Sequence, residues 1–128
     1  MKAKSPAHSQ VIVKNFDDAT EVRRFTKGKM EVLSIGERQV GRQTFEPGWR
    51  WSDSIKSLAQ TQTCELAHFG YVVSGRFHVR MDDGTEFNLR PGDVFAFPAG
   101  HEASVQGNEA CVMIDLLSAQ TYATSRAK

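Results

Sequence analysis

The chain is 128 residues long, enough for one domain that buries a core of its own. Its 16 basic and 15 acidic side chains leave a formal net charge of +1, which gives no reason to expect a nucleic-acid or membrane partner. No apolar run approaches the roughly 20 residues that span a bilayer, and the first residues lack a signal-peptide core, so we expect a cytoplasmic protein.

In chain order, the sequence divides into a polar arm, a strand-rich domain and a polar tail. We predict a disordered arm over residues 1–10, one barrel domain over residues 11–117, and a tail over residues 118–128 that frays. Near the start of the domain, residues 11–13 indicate a short edge strand. Residues 17–25 are charged and indicate a helical turn.

The centre of the domain consists of short apolar segments separated by turn residues. Residues 52–62 are polar and predict either a loop or a short helix. Turn signals recur at intervals of about 8 to 12 residues, which is typical of a β-sandwich or a closed barrel. The sequence therefore predicts an all-β fold. The predicted strands are residues 30–35, 38–45, 67–73, 76–81, 85–89, 94–97, 102–105 and 110–117.

Cys64 and His68 form a candidate metal-ligand pair. On a regular strand two residues four apart share a face, but they lie roughly 13 Å apart at ~3.3 Å per residue. Metal donors lie about 2.0 to 2.3 Å from their ion, so the pair can share a metal only if the chain bends between the two residues. The alternative is a buried core cysteine beside a hydrogen-bonded core histidine.

His101 is the third candidate ligand, because it follows a turn at Pro98 and Gly100 that would redirect its side chain. One thiolate and two imidazoles suit zinc and leave a fourth position for water or a ligand. Imidazole also suits iron, nickel and copper. The second cysteine, Cys111, is too distant in sequence for a zinc-finger or thioredoxin pattern, and we expect no disulfide in a reducing compartment.

Residues 46–116 resemble the cupin superfamily. The first cupin motif is G-x5-H-x-H-x3,4-E-x6-G, and six residues separate His68 from Gly75. His68 therefore stands where the family has Glu, Cys64 stands where it has its second His, and Gln62 stands where it has its first.

The second cupin motif, G-x5-P-x-G-x2-H-x3-N, is matched at Gly92, Pro98 and Gly100. The family's histidine position falls on Ala103, and His101 stands two residues before it. The resemblance thus covers most of the chain in spacing, while the ligands differ in type.

The resemblance implies a double-stranded β-helix, the jelly-roll barrel of cupins, with a short N-terminal extension. It implies that Cys64, His68 and His101 bind one divalent metal in the lumen. It also implies a bend between Cys64 and His68, which a regular strand would not have. The thiolate favours zinc, with iron, nickel or copper as alternatives. Cupins commonly pair, so we also expect a homodimer formed through strands and through residues 11–35.

Five further residues are candidates for a small-molecule pocket. Trp49, Trp51 and Tyr71 could hold an apolar or planar ligand, or they could be core or subunit contacts. Arg50 could pair with an anionic substrate, or it could be a surface residue. Gln62, at a ligand-equivalent position, could bind a metal-bound water.

The sequence leaves three functions open. The first is a metal-dependent enzyme that acts on a small organic molecule. The second is a non-catalytic cupin that binds a metal or small ligand as a sensor, because a thiolate ligand can be oxidised. The third is a barrel with a plugged lumen that works through its dimer surface. Access to the lumen discriminates among them.

Overall fold

The computed structural model describes residues 10–124. The predicted arm, apart from residue 10, and the end of the tail at residues 125–128 lie outside the described residues. After a short 3-10 helix at Phe16–Asp18, the strands and helices are, in chain order, β1 (Glu21–Phe25), β2 (Gly28–Ile35), β3 (Arg38–Phe45), α1 (Trp51–Ser54), α2 (Lys56–Ala59), β4 (His68–Ser74), β5 (Arg76–Met81), β6 (Glu86–Leu89), β7 (Val94–Phe97), β8 (His101–Gln106) and β9 (Cys111–Asp115).

The strands form two antiparallel sheets around one core. The larger sheet has the order β1-β2-β3-β9-β4-β7, and the smaller has the order β6-β5-β8. Buried side chains of both sheets belong to one hydrophobic cluster, including Phe45, Phe77, Val79 and Met113. The predicted all-β fold is confirmed, and no helix among the described residues is long and apolar enough to cross a membrane.

The order of the larger sheet brings distant parts of the chain together. Because β9 lies between β3 and β4, the end of the domain is paired with its middle. Gly70 on β4 makes this pairing possible: a Cβ atom there would lie 1.8 Å from the Ile114 carbonyl oxygen. Gly70 is therefore a close-approach glycine that positions β9 beside the start of β4.

The N-terminal part of the domain differs from its prediction. Residues 11–13 do not form a strand, and Val11 and Val13 are 94% and 87% exposed. The predicted helical turn is the 3-10 helix, but the rest of that segment is the edge strand β1. β1 lies at the edge of the sheet and buries little of its surface, so its charged residues are tolerated. These charges interrupt the alternation of apolar residues by which a strand is predicted. The polar segment over residues 52–62, predicted as a loop or a short helix, contains α1 apart from its first residue and the whole of α2.

The prediction that the tail frays is wrong for residues 118–124. Ala119 is 0% exposed and Tyr122 is 3% exposed, because the chain turns back after β9 and packs against the barrel. The guanidinium of Arg23 on β1 donates to the backbone oxygens of Ala119 at 2.6 Å and Tyr122 at 2.7 Å. These contacts fasten residues 118–124, which we call the C-terminal strap, to the larger sheet.

Candidate metal centre

Backbone pairing brings Cys64 and His101 together. The Cys64 amide donates to the His101 oxygen at 2.8 Å, and the Gly100 amide donates to the Cys64 oxygen at 2.7 Å. His101 begins β8 and His68 begins β4, so the chain leaves Cys64, bends over three residues without regular structure, and enters β4 at His68. The bend that a shared metal requires is present.

The side chains of these three residues form one buried cluster. Their candidate ligand atoms all lie within 4.8 Å of one another. Cys64 Sγ is 3.6 Å from His68 Nε2, and the centroids of the His68 and His101 rings are 5.1 Å apart. The exposed fractions are 2%, 8% and 2% for Cys64, His68 and His101.

The two-residue offset of His101 from the cupin motif has a simple structural reason. Side chains on a strand alternate between faces, so residues two apart share a face. Ala103, at the family's histidine position, and His101 both line the lumen. The shift therefore moves the third ligand along β8 without turning it away from Cys64.

The second nitrogen of each imidazole is engaged by the protein. His68 Nδ1 is 2.8 Å from Asp115 Oδ2, and His101 Nδ1 is 3.1 Å from the Pro98 oxygen. An Nδ1–H group that donates to a carboxylate or a carbonyl leaves Nε2 as the metal-binding atom and fixes the plane of the ring. Metal-ligating histidines in proteins almost always have such a contact.

Asp115 is a functional residue that the sequence prediction missed. It ends β9, is 1% exposed, and is paired across the sheet with Gly41 on one side and Gly70 on the other. Its Oδ1 accepts the Leu117 and Ser118 amides at 2.8 and 2.7 Å. A carboxylate that closes an apolar strand is the signal that could have identified it.

The pKa values of the two histidines move in opposite directions. Burial disfavours the charge on His68, but contacts with Asp115 and Cys64 together outweigh it and raise its pKa to about 9. Burial, and then the charge of His68, lower the pKa of His101 to about 4. His101 is therefore neutral at pH 7 and presents a free lone pair, while His68 must release a proton when it binds a metal.

Asp115 keeps its charge despite its position. Burial raises the pKa of Asp115, but hydrogen bonds with His68 and Ser118 outweigh burial and hold the pKa below its usual range. Ser118 Oγ contacts both the Asp115 carboxylate and His68 Nδ1. The strap thereby completes the environment of His68.

The cluster borders a small lumen. The cavity offers about 20 Å³ to the centres of water molecules, which is room for about one or two waters. Aromatic and sulfur-containing side chains fill most of the barrel around it. The cavity is lined by Gln43, Phe45, Trp49, Trp51, Cys64, His68, Phe77, Phe95, Phe97, His101, Ala103, Met113 and Tyr122.

Only two of the five pocket candidates line this cavity. Trp49 and Trp51 do so, and each is 1% exposed. Tyr71 is 42% exposed because it lies on the opposite face of β4 from His68. Gln62 is exposed and accepts a hydrogen bond from a lysine at 3.1 Å. Arg50 is exposed and borders a separate groove on the smaller sheet. These last three residues do not line the lumen, and their part in a small-molecule pocket stays a prediction.

Among the lumen residues that the sequence prediction did not name, two are polar. Gln43 on β3 is 2% exposed, and Tyr122 of the strap packs edge-on against His68 with ring centroids 5.5 Å apart. Gln43 alternates with polar neighbours, so its inward direction was not readable from the pattern. Tyr122 belongs to a segment whose polar composition concealed its packing.

The three donors fit one divalent transition metal. Bonds of about 2.0 to 2.3 Å in a tetrahedral arrangement place neighbouring donors about 3.3 to 3.8 Å apart. The separation of 3.6 Å between Cys64 Sγ and His68 Nε2 lies within this range. The largest separation between two candidate ligand atoms is at most 4.8 Å. A side-chain movement of about 1 Å would bring these two atoms within the same range.

Comparisons with known proteins agree with the fold. Residues 57–117 match the family model described as the Cupin domain. No curated protein matches the chain. Ectoine synthase from P. lautus superimposes with a TM-score of 0.60 at 13% identity, covering 84% of this chain and 78% of that protein.

Two further solved structures are similar. A Klebsiella pneumoniae protein with a double-stranded β-helix domain has a TM-score of 0.57 at 16% identity, covering 93% of this chain and 95% of that one. Oxalate decarboxylase from Bacillus subtilis has a TM-score of 0.57 at 19% identity, covering 93% of this chain and 33% of that one. At these identities the likeness concerns the fold, and it confirms the predicted double-stranded β-helix.

Proposed function

Residues 57–117 match the Cupin domain family, and on this premise we propose that the chain is a cupin that binds one divalent transition-metal ion in its barrel. Cys64, His68 and His101 are the ligands. The observation that carries the proposal is that the candidate ligand atoms of the three residues lie close together while both imidazole rings are held in orientation. Each histidine has a hydrogen-bond partner at Nδ1, which leaves Nε2 to bind the metal.

Zinc is the proposed metal. A thiolate is a softer ligand than a carboxylate, and one thiolate with two imidazoles suits zinc in a tetrahedral site. Iron, nickel and copper also accept imidazole and thiolate ligands and are the alternatives. Both cysteines are free thiols, which suits the reducing cytoplasm, the compartment that we propose.

The test is elemental analysis of protein purified without a histidine tag. We expect about one equivalent of metal in the parent protein and an affinity at least about tenfold lower in Cys64→Ala. Cys111→Ala is the matched control, because Cys111 is also a buried free thiol but lies outside the cluster. Metal retained fully by Cys64→Ala would remove Cys64 from the site, and metal lost from both variants would point to general destabilisation.

A second function, catalysis on a small organic molecule, is supported by the number of ligands. Three protein ligands leave a fourth position, as in catalytic zinc sites, where the metal activates water or polarises a substrate oxygen. The lumen limits such a substrate to a few non-hydrogen atoms unless the strap moves. A screen of small organic acids, aldehydes and alcohols for turnover tests this function.

A sensor function without catalysis is the alternative, and the closed lumen supports it. A buried thiolate ligand that is oxidised releases its metal. Peroxide should then release zinc from the protein without turnover of any small molecule, and a thiol reductant should restore binding. Zinc that stays bound after oxidation of Cys64 would exclude this function.

A homodimer is the proposed assembly. Phe69, Tyr71 and Val73 of β4 are 45%, 42% and 49% exposed, and Val94 of the neighbouring β7 is 74% exposed. A contiguous apolar face of this kind on a sheet is typical of a protein interface. Sedimentation of the purified protein tests the assembly.

A further inference from the structure

Two tryptophans that line the same lumen as the candidate ligands carry buried hydrogen-bond donors with no partner among the described residues. Trp49 and Trp51 are each 1% exposed, and within residues 10–124 the indole Nε1 atom of each is buried without a hydrogen bond. Unpaired buried donors are rare in native proteins, and they mark sites for water or a ligand. We propose that these two indole N–H groups bind the oxygen atoms of a small carboxylate that coordinates the metal.

The chemistry of the donors determines what they can bind. An indole N–H is a donor only, so its partner must be an acceptor. The lumen is lined by no lysine or arginine among the described residues, so the charge of an anion must be balanced by the metal. A divalent ion with one thiolate and two neutral imidazoles has a net charge of +1, which can hold a monoanion. The Asp115 carboxylate lies at Nδ1 of His68, on the side of the ring away from the Nε2 atom proposed to bind the metal.

The tryptophans cannot find partners by rotating within the core. The Trp49 ring packs against Phe45 and Phe77 with centroid distances of 4.2 and 5.6 Å. Its backbone oxygen accepts the Val105 amide at 3.0 Å, which fixes the main chain. Trp51 is the first residue of α1 and is buried in the same cluster. The donors are thus held in place for a group that enters the lumen.

The size of the lumen limits the ligand. A cavity that offers about 20 Å³ to the centres of water molecules admits formate, or acetate with slight expansion, but excludes aromatic and sugar acids. This inference rests on the proposed metal site, because the metal supplies the positive charge. It adds the class of ligand, which the metal site alone does not define.

The test uses NMR of the whole protein with formate as the probe. The chain has two tryptophans, so its 15N-labelled form gives two indole N–H signals that report directly on the donors. We expect both signals to shift when formate is added to the zinc-loaded protein, and to remain in place in the EDTA-treated protein. Formamide, which is of similar size but neutral, should shift them little.

Variants separate a ligand contact from general packing. Trp51→Phe and Trp49→Phe keep an aromatic ring and remove the donor, and each should weaken formate binding about tenfold or more at unchanged zinc content. Phe87→Leu is the matched control, because Phe87 is an aromatic residue that packs against the same core but does not line the cavity, and the formate affinity of this variant should stay within about twofold of the parent.

The outcomes distinguish the two proposals. Zinc bound with stoichiometry near one but with unshifted indole signals would overturn this inference and leave the metal site intact. Ordered water alone on both indole groups, seen in a zinc-loaded crystal soaked with formate, would also overturn it. Failure to bind any metal would overturn both.

Discussion

The two faces of β4 differ in what they contact: the inner face lies in the core and the outer face is partly exposed. On the inner face, His68 belongs to the cluster of candidate metal ligands, and Gly70 and Val72 are buried in the core. On the outer face, Phe69 and Tyr71 alternate with these residues and are nearly half exposed. Both faces are apolar in sequence, so apolar composition alone does not say which face builds the site.

The difference between the faces lies in their neighbours across the sheet. On the inner face, Gly70 is paired with Asp115, whose carboxylate reaches the neighbouring His68. On the outer face, Tyr71 is paired with Ile114 on one side and Val94 on the other, which gives a continuous apolar row. We infer that the inner face requires polar partners within the chain, whereas the outer face requires an apolar partner from outside it.

Of the variants that test the difference between the two faces, Gly70→Ala should have the largest effect on stability. The new Cβ atom would lie 1.8 Å from the Ile114 oxygen, so β4 and β9 must separate. We expect the free energy of unfolding to fall by about 3 kcal/mol, at the upper end for overpacking. Urea denaturation measures this free energy. In the control variant Val73→Ala, on the exposed face, the free energy of unfolding should fall by less than about 0.5 kcal/mol. Equal losses in the two variants would contradict the distinction between the faces.

The inner face should also make the metal-free protein sensitive to acid. The pKa of His101 is lowered to about 4, so the unfolded chain takes up a proton there between pH 6.5 and 4 while the folded chain does not. This site should lose up to about 3 kcal/mol of stability across that interval. Urea denaturation of EDTA-treated protein should show a flatter acid limb for His101→Gln than for the parent.

His68 should change the pH dependence of stability in the opposite direction from His101. Its pKa is raised to about 9, so its stabilising effect is full below about pH 6.5 and is lost as the pH rises through 9. The metal-free protein should therefore be most stable near neutral pH. A stability that is flat from pH 5 to 9 would show that the two imidazoles do not titrate as their surroundings require.

Asp115→Asn should weaken the metal site without removing a ligand. The amide no longer supplies the negative charge that orients and polarises His68, and loss of such a partner typically lowers metal affinity about 10- to 100-fold. Competition with a chromophoric chelator measures the affinity. Asp83→Asn, at an exposed turn, is the control and should leave the affinity unchanged. An Asp115→Asn affinity equal to that of the parent would remove Asp115 from the site.

Tyr71→Lys should change the outer face alone. A charge in the row between Val94 and Ile114 makes an apolar interface unfavourable, so we expect the proposed dimer to become a monomer in sedimentation experiments. Stability should change by less than about 0.5 kcal/mol, because the position is exposed. Metal content should remain the same. A dimer that persists would place the interface elsewhere.

Much of the site was predictable because cupin spacing carries information about chain geometry. The interval from His68 to Gly75 and the turn at Gly100 indicated that Cys64, His68 and His101 converge, and the structure places their donors within 4.8 Å. Asp115 was not predictable in the same way, because it reaches His68 only through the pairing of β9 with β4.

The sequence by itself determined the local features of this protein. Turn residues and the alternation of side chains depend on neighbours along the chain, so the strand segments from β2 to β9 follow from them, with ends shifted by one or two residues. The tertiary structure decided how β9 lies between β3 and β4, how the strap buries Tyr122, and which tryptophans line the lumen with the candidate ligands. These features depend on contacts between residues far apart in sequence, and a local pattern contains no record of those contacts.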